Sequence, residues 1–175
     1  MRPTKDEYFL AMAQLVSTRA TCLRRAVGCV LVNARGHVLA TGYNGRAAGQ
    51  PHCNEEVVFG KRGHYLDQIQ YPHACPGARA ASGDALDTCE ALHAEQNALL
   101  QCPNAYAIDS TYVTVAPCLT CVKLLMNTTC RRIVFAEPYA GSHAGAEKLW
   151  RESSPIVFTR EPAAREWLHL RASRP

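Results

Sequence analysis

The sequence predicts an α/β fold in which a mixed five-stranded sheet packs against helices. Residues 27–33 and 38–43 are apolar runs separated by a short turn at residues 34–36, which is typical of an antiparallel hairpin. The three later strand patterns are separated by helical patterns, and helices that connect successive strands favour parallel pairing. A hairpin followed by such connections predicts a sheet that is partly antiparallel and partly parallel.

Each element has its own local signal. Residues 4–19 predict an amphipathic helix that Thr4 and Glu7 cap at its start. The apolar side chains at helical spacing, which we expect to face the core, are Tyr8, Ala11, Met12, Leu15 and Val16. Residues 89–101 form a second helical pattern, which Pro103 ends. The remaining predicted elements are a strand at 111–115, a helix at 117–127, a strand at 132–136, a helix at 144–152, a strand at 155–159 and a terminal helix at 162–170.

The length of 175 residues fits one domain that spans residues 1–175. Residues 46–88 stand apart, because they are rich in Gly, Pro, His and Cys and show little periodicity. A structureless loop of that length is uncommon inside a compact domain. We therefore expect this insertion to be a functional loop or a segment fastened by a metal ion.

Composition narrows the classes of function. No apolar run approaches the roughly 18 residues that span a bilayer, and the charged N-terminal segment lacks the apolar stretch of a signal peptide, so we expect a cytoplasmic protein without a membrane partner. A net charge of +4 suits an anionic ligand such as a nucleotide phosphate. No dense basic run occurs, which makes a nucleic-acid partner unlikely. The pairs Arg24-Arg25 and Arg131-Arg132 are typical of a solvated surface.

Two short motifs carry the strongest chemical signal: H-A-E at residues 93–95 and P-C-L-T-C at residues 117–121. One imidazole and two thiolates suit a tetrahedral zinc ion whose fourth position is open to water. We therefore expect His93, Cys118 and Cys121 to bind a catalytic zinc. The two cysteines are spaced to share one face of a helix start, whose positive end favours thiolates.

Glu95 lies two positions from the first ligand, so its carboxylate can reach water beside the metal without binding the metal itself. A carboxylate there can act first as a base and then as an acid. An H-x-E motif followed by P-C-x-x-C is the signature of zinc-dependent base deaminases. The motifs predict hydrolytic deamination of a cytosine ring, with Glu95 as the catalytic residue.

Longer stretches of the chain resemble the deoxycytidylate (dCMP) deaminases. The resemblance covers residues from about 8 to 159, and it is carried by V-G at 27–28, G-Y-N-G at 42–45, H-A-E-Q-N-A at 93–98 and Y-V-T-V-A-P-C at 112–118. It implies a three-layer α/β/α cytidine-deaminase-like sandwich and the conversion of dCMP to dUMP. A C5-modified dCMP (5-methyl or 5-hydroxymethyl) or dCTP is an alternative substrate. A nucleic-acid cytosine or adenosine deaminase and a non-catalytic zinc-binding module are further alternatives.

The resemblance also assigns roles to residues. It implies that Asn44 contacts the deoxyribose, that the backbone N–H of Ala94 donates to the base carbonyl, and that Tyr139 lies near the nucleotide. Arg25 and Arg46 are the alternatives for the phosphate ligand.

Nine cysteines in a reducing compartment favour metal ligation over disulfides. By resemblance, a second, structural zinc is expected on Cys22, Cys53 and Cys89, with Cys75 or His73 as the fourth ligand. The resemblance further implies a homohexamer that dCTP activates and dTTP inhibits, with Mg²⁺ accompanying the nucleotide effector. The cysteines in or beside apolar elements are expected to be packing residues: Cys29, Cys102 and Cys130.

Overall fold

The structure, a computed structural model, describes residues 2–58, 69–81, 84, 88–138, 143–152 and 157–160. Within these residues the helices are α1 (Lys5–Ser17), α2 (Ala94–Gln101), α3 (Leu119–Met126) and α4 (His143–Glu152). The strands are β1 (Gly28–Val32), β2 (Val38–Tyr43), β3 (Val57–Val58), β4 (Ile69–Gln70), β5 (Ser110–Val115), β6 (Arg132–Glu137) and β7 (Val157–Arg160).

A mixed five-stranded sheet forms the centre of the fold, in the order β2-β1-β5-β6-β7. The hairpin strands β1 and β2 are antiparallel, as is the β1–β5 pair, whereas β5, β6 and β7 run parallel to one another. The sheet therefore confirms the predicted combination of an initial hairpin with later helix-connected strands. In the insertion, β3 and β4 form a separate antiparallel pair.

Helices cover both faces of this sheet, which confirms the three-layer arrangement. On one face, Phe9, Leu10 and Ala13 of α1 pack with Val30 and Tyr112 of the sheet. On the other face, α2, α3 and α4 contribute buried side chains to a second cluster, among them Ala94, Ala98, Val122, Leu125, Ala146 and Trp150. Among the described residues, no helix is long and apolar enough to cross a membrane.

Helix α1 begins as predicted, because Thr4 and Glu7 form both halves of a capping box. The predicted buried stripe is partly wrong: Tyr8 is 49% exposed and Leu15 is 71% exposed, while the neighbouring residues Phe9 and Leu10 are buried. Apolar residues occupy nearly every position from 8 to 13, so their spacing does not select one face. The close approach of β1 at Gly28 determines which face of α1 is buried. A Cβ at residue 28 would collide with the α1 backbone at residues 13 and 17.

Helix α2 begins at Ala94, five residues later than the sequence pattern indicated. The backbone of Leu92 is extended instead, because its N–H donates to the Gly45 carbonyl at 2.8 Å and its carbonyl accepts from the Gly45 N–H at 3.2 Å. Helix α3 likewise begins at Leu119, with Cys118 as its N-cap. The sequence pattern placed His93 and Cys118 inside the first turns of these helices. In the structure each of them is the N-cap residue, immediately before its helix begins.

Other boundaries differ by one or two residues from those expected. Helix α4 starts one residue earlier than residue 144, and β7 starts two residues later than residue 155. The predicted terminal helix at 162–170 lies outside the described residues. The single domain over residues 1–175 stays a prediction.

Candidate metal centre and active site

Three candidate ligands meet where α2 and α3 begin. His93 is the N-cap of α2, Cys118 is the N-cap of α3, and Cys121 lies in the first turns of α3. The His93 Nδ1 atom lies 3.4 Å from the Sγ atom of each cysteine. Their ligand atoms all lie within 4.8 Å of one another, and no other His, Cys, Asp or Glu group of three does so among the described residues.

These separations fit a zinc ion. With Zn–N near 2.05 Å and Zn–S near 2.3 Å, a tetrahedron has an N···S edge of about 3.6 Å. The observed 3.4 Å is close to that edge. The donor set also fits, because one nitrogen and two sulfurs leave a fourth position for water or substrate.

The electrostatics of the three side chains favour a thiolate. A hydrogen bond from Cys121 is the main cause that lowers the pKa of Cys118 to about 4, with a second from His93, although burial opposes it. The same hydrogen bond, together with burial, raises the pKa of Cys121. The hydrogen bond with Cys118 raises the pKa of His93. Binding of a metal displaces the protons that these groups share, so metal affinity rises with pH.

Glu95 lies beside this group, at the second position of α2, and is only 3% exposed. Burial raises the pKa of its carboxyl group to about 6, against the lowering effect of His93. Two neighbours fix the helix that carries it. The Gln96 side chain accepts from the His93 N–H at 2.8 Å, and the Asn97 amide donates to the Tyr43 carbonyl at 2.8 Å. The helix start is thereby fastened to its own N-cap and to the end of β2.

A cleft of about 630 Å³, its open mouth included, gives access to this group. The reacting end is lined by His93, Glu95 and Cys118, and the rest of the wall is lined by Cys22, Arg24, Arg25, Val27, Asn44, Cys89, Ala91, Ala94, Val115 and Ala116. A metal-binding group, a buried carboxylate and two arginines therefore share one cavity.

Comparison with known proteins gives the family. The "Cytidine and deoxycytidylate deaminase zinc-binding region" matches residues 3–137. The chain belongs to this family. It is similar to the deoxycytidylate deaminase of Mycobacterium phage D29, with 38% identity over 135 residues that cover 77% of this chain and 95% of the phage protein.

Two further comparisons define how far the likeness reaches. The deoxycytidylate deaminase of Schizosaccharomyces pombe is 37% identical over 142 residues, which cover 79% of this chain but only 38% of the yeast protein. The dCMP deaminase of cyanophage S-TIM5, whose structure was solved with dCMP and dUMP, has a TM-score of 0.62 at 21% identity and covers 92% of this chain and 99% of the phage chain. This structural likeness shows that the fold is shared.

In this family member, Asn44 serves the architecture of the cleft wall. Its Oδ1 accepts from the Val27 N–H at 2.8 Å and its Nδ2 donates to the Arg25 carbonyl at 2.7 Å. An amide side chain offers two donors and two acceptor positions, so one of each is left for a ligand. Asn44 therefore holds the segment that bears Arg25 while it lines the cleft. The predicted contact of Asn44 with a deoxyribose stays a prediction.

The two candidates for the phosphate ligand occupy different surroundings. Arg25 lines the cleft, where its Nη2 atom lies 2.8 Å from Glu137 Oε2. Arg46 is not among the described lining residues. Its guanidinium pairs with Glu90 and donates to the Gln50 side chain and to two backbone carbonyls of the insertion. The geometry favours Arg25. Tyr139 lies outside the described residues.

The sequence did not single out Arg24, which also lines the cleft. Its Nη2 donates to the carbonyls of Ala81 and Asp84, the latter at 2.8 Å, so it fastens the insertion to the mouth. Its Nη1 is buried and has no hydrogen-bond partner among the described residues. The expected solvated surface is therefore wrong for Arg24, whereas the side chain of Arg25 is 33% exposed. The sequence signal that could have indicated a place in the cleft is the position of the pair, just before V-G at residues 27–28.

In the second pair, Arg131 is exposed as predicted, but Arg132 is half-buried and paired. Arg132 donates to both carboxylate oxygens of Asp6, at 2.9 and 3.3 Å, and Tyr112 donates to Asp6 at 2.8 Å. This network joins the start of α1 to β5 and β6. Its role is structural, since its three members are not among the described residues that line the cleft.

The remaining cysteines separate into two groups. Cys53 and Cys75 are buried together, with Cys89 packed against them, and Cys22 and Cys89 line the cleft. Burial raises the pKa of Cys53 and of Cys89, whereas hydrogen bonds from the Glu90 backbone and from these two thiols lower the pKa of Cys75 despite burial. Among the described cysteines, Cys29 and Cys130 are buried in the main core, as predicted, and Cys102 packs against it.

Proposed function

We propose that this chain hydrolyses dCMP to dUMP and ammonia. The observation that carries the proposal is a buried carboxylate, Glu95, beside a group of one histidine and two cysteines that fits zinc, at the end of a cleft lined by two arginines. The dCMP deaminases among its relatives support the choice of substrate, although the chain spans less than half the length of the S. pombe relative. The substrate is therefore inferred, while membership of the family is shown.

The bound zinc would supply a Lewis acid that lowers the pKa of water to about 7. The chain's own residues do the rest. Glu95 takes a proton from the attacking water and delivers it to N3 of the cytosine as the water oxygen bonds to C4. Glu95 then passes the second proton to the 4-amino group, the C4–N bond breaks, and ammonia leaves. A carboxyl group whose pKa is near 6 can both accept and donate at neutral pH.

Substrate recognition is assigned to the cleft wall. The N–H of Ala94 lies at the start of α2, where backbone donors have no partner within the helix, so it is free to serve as the proposed donor to the base carbonyl. Asn44 has one donor and one acceptor left for the deoxyribose. Arg25 takes the 5′-phosphate in preference to Arg46, because a guanidinium fork matches phosphate geometry and Arg46 is occupied elsewhere. Tyr139 stays a prediction near the nucleotide.

The direct test is ammonia release from zinc-loaded protein. We expect dCMP to be turned over faster than CMP, deoxycytidine, dCTP and the 5-methyl and 5-hydroxymethyl forms of dCMP. Glu95→Gln should keep its zinc and lose turnover by about 10²- to 10⁴-fold, the usual contribution of a general acid–base group. Glu152→Gln, on the exposed face of α4, is the matched control and should behave as wild type. Loss of zinc together with activity in Glu95→Gln would contradict the role assigned to the carboxylate.

We further propose a structural zinc on Cys22, Cys53, Cys75 and Cys89. Cys53, Cys75 and Cys89 share one cluster and Cys22 lines the cleft beside Cys89, which supports the site, and a metal would fasten an insertion that has little core of its own. No three of these sulfur atoms lie within 4.8 Å of one another among the described residues, so binding requires them to draw together. Metal analysis of purified protein should find two zinc ions per chain, and one in Cys53→Ser. A single zinc in the wild type refutes this site. If Cys75→Ser still binds two zinc ions, His73 is the alternative fourth ligand.

Assembly, regulation and location are proposals of the same kind. The resemblance to the dCMP deaminases is what supports a homohexamer. Sedimentation at working concentration tests it, and a monomer would exclude it. Activation by dCTP with Mg²⁺ and inhibition by dTTP can be measured in the same assay. All nine cysteines are free thiols, which supports a cytoplasmic location.

A further inference from the structure

An ion pair holds one of the two arginines that line the cleft. Arg25, which lines the cavity, binds Glu137 through a single Nη2···Oε2 contact of 2.8 Å. The side chains are 33% and 53% exposed, so both reach solvent. Half-exposed pairs of this kind are weak, because water solvates and screens both charges. A ligand with a stronger anion can therefore displace the carboxylate from the guanidinium.

Both partners are held by their backbones. The Glu137 carbonyl, at the end of β6, accepts from the Ala116 N–H at 2.8 Å, one residue before the second zinc motif. The Arg25 carbonyl is fixed by Asn44 at 2.7 Å. Because the backbone of residue 137 stays in place, the displaced carboxylate can move only by the reach of its own side chain, and its charge remains near the phosphate subsite.

We infer that Glu137 is a specificity-determining residue, which limits how much negative charge the 5′ group of the substrate can carry. This inference rests on the proposed function. A phosphate must take Arg25 from Glu137 and then lie beside the released carboxylate. The cost of that repulsion grows with each added phosphate charge and vanishes for an uncharged nucleoside. The pair thereby favours a monophosphate over more highly charged nucleotides.

The test compares kcat/KM for deoxycytidine, dCMP and dCDP in wild type and in Glu137→Gln. The diphosphate is the cleaner probe, because dCTP is an expected effector. We expect kcat/KM to rise about fivefold for dCMP and about 20-fold for dCDP, chiefly through KM, and to stay within about twofold for deoxycytidine. The gains should shrink as salt is raised from 0.05 to about 0.5 M. Glu137→Asp keeps the charge and should keep the wild-type order of preference.

Each outcome decides the matter. Equal changes for all three substrates, or no change, overturn the role of Glu137, because a structural defect does not depend on substrate charge. Gains that persist at high salt also overturn it. If the wild type turns over none of the cytosine compounds, the proposed function itself fails and this inference falls with it. The surface variant Glu152→Gln removes a carboxylate from the exposed Lys148–Glu152 pair and should leave the substrate order unchanged.

Discussion

Gly42 lies where β2 passes beneath α2, and the variant Gly42→Ala tests whether this contact positions the reacting groups. A Cβ at residue 42 would fall within the van der Waals shell of the Ala94 carbonyl and of the Ala98 backbone. These are backbone atoms of a helix, so no side-chain rotation relieves the collision. The whole start of α2 has to move, and it carries His93 and Glu95.

The expected cost follows from that geometry. Overpacking of a well-packed core costs about 1–3 kcal/mol, and we expect the upper half of that range because the obstacle is backbone. For a chain of this size, each kcal/mol lowers Tm by about 2–4 °C. A displacement of the helix start by about 1 Å can reduce turnover about 100-fold. The loss of activity should therefore exceed what the loss of stability alone produces.

The assay pairs urea unfolding with turnover and zinc content at a temperature where the variant is folded. Gly145→Ala is the matched control, because a Cβ in α4 at residue 145 meets no atom within 4 Å. Replacing a helical glycine with alanine should raise stability by about 0.5–1 kcal/mol and leave turnover unchanged. A Gly42→Ala protein with wild-type stability and turnover would refute the claim that this approach holds α2 in place.

Three further perturbations test the site and the core. Cys118→Ser should lose the catalytic zinc and its activity while the sheet persists, which metal analysis and circular dichroism can establish; retained zinc would count against the ligand set. Burial raises the pKa of Cys130 from 9.0 to about 11, so the unfolded chain loses this proton at lower pH than the folded one. Stability should fall by about 2 kcal/mol as pH rises from 9 to 11, and Cys130→Ala should remove that slope in urea titrations. Asp6→Asn should cost about 1–3 kcal/mol through Arg132, against less than about 0.5 kcal/mol for Lys148→Met on the exposed α4 face; equal costs would contradict the network.

Local patterns predicted the elements better than their ends. The hairpin of β1 and β2 follows from two apolar runs and a glycine turn, and Gly36 does adopt a positive φ of 84°. The start of α2 was mispredicted because residues 89–93 contain good helix formers. The backbone of Leu92, within this stretch, instead exchanges both of its hydrogen bonds with Gly45, which is far away in sequence. No local propensity contains that information, since the competing hydrogen bonds come from tertiary structure.

The site likewise has a part that local sequence predicts and a part that depends on tertiary structure. The metal-ligand candidates are predictable because two short motifs hold them in fixed local relations to the starts of two helices. The wall of the cleft is not, since its members come from separate segments. Arg46 follows the G-Y-N-G motif directly, yet the insertion surrounds it, whereas Arg24 faces the cavity. Which arginine faces a ligand depends on how the insertion packs, and its composition does not specify that.

The site also separates two tasks along the chain. The residues proposed to break the bond occupy one continuous segment, residues 93–121, which runs from the start of α2 through β5 into α3. The residues proposed to recognise the substrate come partly from outside it: Arg25 and Asn44 line the cleft, and Glu137 pairs with Arg25. Mutations in these outer segments can alter which molecule is accepted and leave the reaction chemistry intact. The chain is thus built so that substrate preference can drift, or be engineered, independently of the step that releases ammonia.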